Sequence, residues 1–177
     1  EWLPEPGCTP DSACYFLDTA AEHVLLLLAR WRGTALAFTL ETAREKLAET
    51  SAMIKRHDER AARRASRRYL ALAAAAQSAV QRPPDAARSA ARETYMNATL
   101  EHVYILSVDY VDMPLGVRHE ILQPVFDAAM AGYENARSAL SDAEQKALFF
   151  REEEIRWSLE MTTQADAQKI TNEFAGQ

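Results

Sequence analysis

The chain has 177 residues, 48% of them apolar, with a formal net charge of −6. That length is enough for one domain, or one domain with a helical extension, and for a core that needs no obligatory metal or disulfide. The longest unbroken apolar run, Val24 to Ala29, falls far short of the roughly 20 residues a membrane helix requires, so no transmembrane segment is expected in this sequence. A pI near 5.3 argues against a dedicated nucleic-acid binder.

Only 5 Gly and 7 Pro interrupt a chain rich in Ala, Glu, Arg and Leu, residues that lose little on entering a helix. Residues 1–9 read as an irregular lead-in. A first helix can start at Thr9 or Asp11, with Pro10 in its first turn, and Phe16, Ala20, Val24, Leu27, Leu28 and Trp31 along one side as far as Gly33. From Thr34 to Arg82 there is neither Pro nor Gly. One stripe, Leu36, Leu40, Ala43, Leu47, Thr50 and Ile54, predicts a narrow buried seam. A second, Ala62, Ala65, Tyr69, Leu72, Ala76 and Val80, follows it at the same three- and four-residue spacing. As one helix this segment would be ~73 Å long. A tight helical hairpin near His57 and Asp58 is the better reading.

Pro83-Pro84 forces a break. The next helix is expected from about Asp85 to Asp112, with Ala91, Tyr95, Ala98, His102, Ile105 and Val108 or Asp109 on one side. Pro114-Leu115-Gly116 reads as a turn. A short piece then reaches Gln123, and Pro124 opens a further helix carrying Ala128, Ala131, Ala136 and Leu140. Ser141 and Glu144 form a capping box for a last helical region with Phe150, Trp157 and Met161 as anchors. The expected fold is an all-α antiparallel bundle of five to six helices. Its domain covers 1–140, and a helical extension, 141–177, packs on it.

The two cysteines, Cys8 and Cys14, flank five residues and are the chain's only ones. A disulfide across so short a loop contributes roughly 2–2.5 kcal/mol by chain entropy and is the favoured reading. A soft-metal pair would need ligands the neighbourhood lacks, and two free thiols would suit a reducing compartment.

Charge is segregated. Residues 55–68 hold seven Lys or Arg against two acids. Arg60, Arg63, Arg64 and Arg67 fall on one helix face, opposite the apolar stripe. Such a band is either a solvated outer face or a dock for an acidic protein or an anionic membrane surface. The run Glu152-Glu153-Glu154 fans around a helix and reads as solvated. The five scattered Met residues read as core filler.

Nothing in the sequence points to catalysis. Four His residues lie near no Gly-rich elbow, and there is no phosphate-cradling loop or dinucleotide fingerprint. The chain is not read as an enzyme, and no cofactor is expected. The chemical alternative is a metal site. Glu22-His23-Val24 and Glu101-His102-Val103 repeat a tripeptide on two helices that could be neighbours, and Asp109 shares a face with His102. A set of His23, His102 and Asp109 would suit zinc, copper or nickel. The competing reading packs His102 in the bundle and leaves His23 at the surface.

Three segments resemble the bacterial and archaeal domain-of-unknown-function family 5667. They are Pro10-Asp11-Ser12-Ala13-Cys14-Tyr15-Phe16-Leu17; the amphipathic run Leu40 to Ile54 around Ala43-Arg44-Glu45-Lys46-Leu47-Ala48-Glu49; and His102-Val103-Tyr104-Ile105-Leu106, followed by Met113-Pro114 and Gly132-Tyr133-Glu134-Asn135-Ala136. Cys14 departs from the Leu the family favours, and the residues after Leu140 have no counterpart. The resemblance implies a place outside the cytoplasm, periplasmic or at the cell surface, behind a signal peptide or membrane anchor that would lie upstream of Glu1. It implies a sensing or scaffolding role and offers no catalytic residues. The expected function is therefore a non-enzymatic extracytoplasmic sensor or protein-interaction domain, with a periplasmic metal-binding bundle as the alternative.

Overall fold

The computed structural model describes residues 34–81, 85–111 and 115–143, and the single positions 21, 24, 25, 28, 29, 145, 146, 149, 152 and 153. Among these, no residue is in a strand, and the chain is an all-α helical bundle. Two compact units are present, Glu1–Ala136 and Arg137–Gln177.

In the first unit, α1 (Ala35–Lys55) and α2 (Glu59–Val80) form the hairpin expected near His57 and Asp58. Its turn is built without glycine. Asp58 N donates to Met53 O (2.9 Å) and His57 N to Ile54 O (2.9 Å), the paired bonds of a Schellman ending. His57 takes the left-handed position at φ 61°, which a Cβ disfavours. Asp58 also caps α2, accepting from Ala61 N at 2.9 Å. One residue thus closes one helix and opens the next, and α2 folds straight back along α1.

The predicted stripe of α2 is buried at all six positions. That of α1 is too narrow. Besides Leu40, Ala43, Leu47, Thr50 and Ile54, the helix buries Thr39, Thr42, Lys46, Ala48, Glu49, Ser51 and Met53. Two seams of three- and four-residue steps run side by side, one apolar and one polar, and α1 is buried along both. The threonines tolerate this because their hydroxyls bond back one turn, Thr39 to Ala35 O at 2.7 Å and Thr50 to Lys46 O at 2.7 Å.

α3 (Asp85–Val111) ends within a residue of its expected limit and packs against both earlier helices. Beyond it the expectation fails in an instructive way. Leu115 and Gly116 belong to a helical turn, Leu115–Val117. A π turn, Arg118–Leu122, leads from it without a break into α4 (Gln123–Ser138). Pro124 therefore lies inside a continuous helical run. Proline has no N–H to donate one turn back and its ring crowds that carbonyl; the wider π turn just before it relieves both problems. Two expected pieces merge, and the described residues contain four helices longer than one turn, fewer than the predicted five to six.

The face that α4 buries is only partly the predicted one. Its buried face is Val125, Ala129, Gly132, Tyr133 and Ala136; of the predicted Ala128, Ala131, Ala136 and Leu140, Ala136 is buried, Ala128 and Leu140 are half-buried and Ala131 is exposed. The core joins Leu47, Met53 and Ile54 of α1, Tyr69 and Leu72 of α2, Val103, Ile105 and Leu106 of α3, and Ile121, Leu122 and Val125.

In the second unit, Gln145 N donates to Ser141 O at 2.9 Å and Gln145 Nε2 to Leu140 O at 3.1 Å. Arg137 lies 3.8 Å from Glu152.

Candidate functional site

Because the inward residues of α2 are Ala62, Ala65, Tyr69, Leu72 and Ala76, a residue half a turn away must point outward. Arg60, Arg64 and Arg67 do, and all three are exposed. Among the described residues neither Arg60 nor Arg67 has a carboxylate partner. Arg63 differs. It is only partly exposed, bonds Glu120 of the π turn, and lies 3.7 Å from Glu59. The bond and charge of Arg63 hold the Glu120 carboxyl below the usual carboxylate range, and the guanidinium is raised in return. Glu120 was not foreseen as a partner, because only the π turn carries it to α2. Lys55 and Arg56 extend the exposed cationic surface around the hairpin turn.

The second concentration of polar groups is inside. The Tyr69 hydroxyl and His102 Nδ1 are 3.1 Å apart, and the rings meet edge to face with centroids at 5.5 Å. Both residues are buried, at 1% and 3% exposure. Burial, and then the charge of Arg44, push the His102 pKa down to about 4, so the ring is neutral near pH 7. Burial also carries the Tyr69 phenol far above its ordinary range, with a smaller push from Tyr95. Arg44 pairs with Glu101 at 2.9 Å, tying α1 to α3. Tyr95, also buried, lies over the backbone of Gly132, where an added Cβ would stand 2.5 Å from its hydroxyl.

His102 is thus a packed, hydrogen-bonded residue with one ring nitrogen committed. Of the other two residues in the expected metal set, His23 lies outside the described residues, as does the side chain of Asp109. Among the described residues no three His, Cys, Asp or Glu side chains converge as metal ligands would. Cys8 and Cys14 likewise fall outside the described residues.

Lys46 and Glu49 are the largest surprise. Their 2.6 Å ion pair within α1 is buried, at 0% and 1% exposure. Desolvating two charges is costly unless they are paired and bonded. Nothing in their composition marks them as inward, although Thr39, Thr42, Lys46, Glu49 and Met53 keep the same step as the apolar seam beside them.

The comparisons with known proteins agree with the sequence on one point. A family model described as "Domain of unknown function (DUF5667)" matches residues 7–107, more than half of the chain. The matched stretch contains the first two resembling segments and His102 to Leu106 of the third; Met113-Pro114 and Gly132 to Ala136 lie beyond it. Searches of curated proteins and of solved structures give no match. The exposed arginine face lies within the matched stretch, as do the buried Tyr69–His102 pair and the Lys46–Glu49 pair, and this chain is a member of the DUF5667 family.

Proposed function

We propose that the protein is a non-enzymatic, extracytoplasmic helical domain that senses or docks a partner through the arginine face of α2. The observation that carries this is the exposure of Arg60, Arg64 and Arg67 on one face of a chain whose net charge is −6. Arg60 and Arg67 have no carboxylate partner among the described residues, and an acidic protein surface or an anionic membrane surface would supply one. Arginine suits such a role better than lysine, because its planar fork meets carboxylate or phosphate with two parallel bonds.

The compartment rests on the DUF5667 resemblance and on the close spacing of Cys8 and Cys14. In this proposal no cofactor takes part and nucleic acid is not the partner. Stoichiometric zinc, copper or nickel in protein purified without a chelating tag, lost in His102→Ala, would replace it with the metal-binding reading.

The experiment compares the native chain with an Arg60→Gln, Arg64→Gln, Arg67→Gln variant for binding to poly-L-glutamate and to vesicles containing phosphatidylglycerol. Binding that weakens in the variant and on raising salt supports the proposal, since exposed pairs are screened over about 8–10 Å. Equal binding by both proteins, or none by either, rejects it.

A further inference from the structure

The outward face of α2 continues beyond the arginines. Arg60, Arg64, Arg67, Ala71, Ala74 and Ser78 succeed one another at steps of four, three, four, three and four, and every one is exposed. At 100° per residue the six lie within a narrow strip, straight along the helix for roughly 27 Å. After Arg68 no charged residue occurs before the helix ends at Val80. An outward face is ordinarily solvated by charged side chains; beyond Arg68 the exposed residues are Ala71, Ala74, Ala75, Gln77 and Ser78, and the strip itself carries only small ones.

From this we infer that the α2 strip receives an acidic amphipathic helix of another protein, laid lengthwise, with carboxylates facing Arg60, Arg64 and Arg67 and apolar side chains over Ala71, Ala74 and Ser78. Charge complementarity names the acidic end of the partner. The spacing names its shape, because alternating steps of three and four are the rhythm on which two helices interlock. Small residues at the uncharged end let the partner helix come close. A membrane plane would require no such register, and it would favour large apolar or aromatic side chains, which the strip lacks. An unstructured acidic chain would use the arginines and ignore the alanines.

This inference rests on the docking role proposed for the arginine face, and the test separates the two. The probe is a synthetic helical peptide with Glu at the three positions facing the arginines and Leu or Ala at the three beyond. Its control has the same composition in scrambled order. Four forms of the full chain are compared: native, Arg64→Glu with Arg67→Glu, Ala74→Leu with Ala71→Leu, and one with a photo-reactive residue at position 74.

The native chain should bind the ordered peptide at least tenfold more tightly than the scrambled one. Both double variants should lose at least that factor while keeping the native helical spectrum. The photo-reactive form should crosslink to the apolar end of the peptide. If the leucine variant binds as well as the native chain, the helix-seam inference fails and the arginine role survives. If the glutamate variant binds as well, the arginine role fails too. Equal affinity for the scrambled peptide, no measurable affinity for either, or crosslinks from position 74 to a second copy or to residues 137–177 would overturn the inference.

Discussion

Gly132 sits inside α4, where glycine costs about 1 kcal/mol relative to alanine. On propensity alone, Gly132→Ala should therefore stabilise the protein. The packing reverses that sign. A Cβ built on Gly132 lies 2.5 Å from the Tyr95 hydroxyl, 3.2 Å from Thr99 Cγ2 and 3.3 Å from Tyr95 Cζ. Tyr95 is 4% exposed, so its ring cannot swing into solvent to make room. Overpacking of a buried site costs typically about 1–3 kcal/mol. Set against the helix gain, Gly132→Ala should lose about 1 kcal/mol, measured as a lower midpoint in urea at unchanged slope. Tyr95→Phe removes the atom that makes the closest contact, and in that background the same alanine should be neutral or stabilising. The two substitutions should therefore couple by about 1–2 kcal/mol, as contacting residues do. A gain of about 1 kcal/mol from Gly132→Ala in both backgrounds would refute the packing of α4 on α3.

At the hairpin, His57 is exposed with φ 61°, so His57→Gly should raise stability by about 0.5–1 kcal/mol in the same assay, the relief of left-handed strain less the entropy of glycine. His102 makes stability depend on pH. Its folded pKa of about 4 is below the unfolded value of 6.5, so the unfolded chain binds the extra proton first. The contribution is complete above pH 6.5 and is lost as pH falls through about 4. It amounts to about 3 kcal/mol in all, and an equally acid-sensitive His102→Gln variant would contradict it. For Cys8 and Cys14, thiol titration of the oxidised, denatured protein after export should find no free thiol; two reactive thiols would reject the disulfide.

What could be read from the sequence followed from breakers and periodicity. The α2 stripe was legible because Tyr69, Leu72 and Val80 have large side chains at helical steps, and the hairpin because a helix through Lys55–Glu59 would be too long for a small domain. The same reasoning placed Tyr69 and His102 inward, yet only packing shows that they meet. The face of α4 was legible only at Ala136, and Val125, Ala129 and Tyr133 were missed, because the predicted stripe is largely alanine, which suits either side. Lys46 and Glu49 were hidden for a different reason. A charged pair three residues apart is usually solvated, and its burial depends on how completely the neighbours surround α1. The arginine face was legible as a pattern, but the loss of Arg63 to Glu120 was not, since those residues lie far apart in the chain.

The account depends most on Arg60, Arg64 and Arg67 facing outward to meet an acidic partner. The direct measurement takes the native chain and the variant with all three changed to Gln. It records the urea midpoint and the affinity for the ordered acidic peptide on the same samples. The account predicts equal midpoints and at least a tenfold loss of affinity that high salt reproduces in the native chain. A large fall in midpoint would show that these arginines are packed inside the protein, and unchanged affinity would show that the face docks nothing acidic.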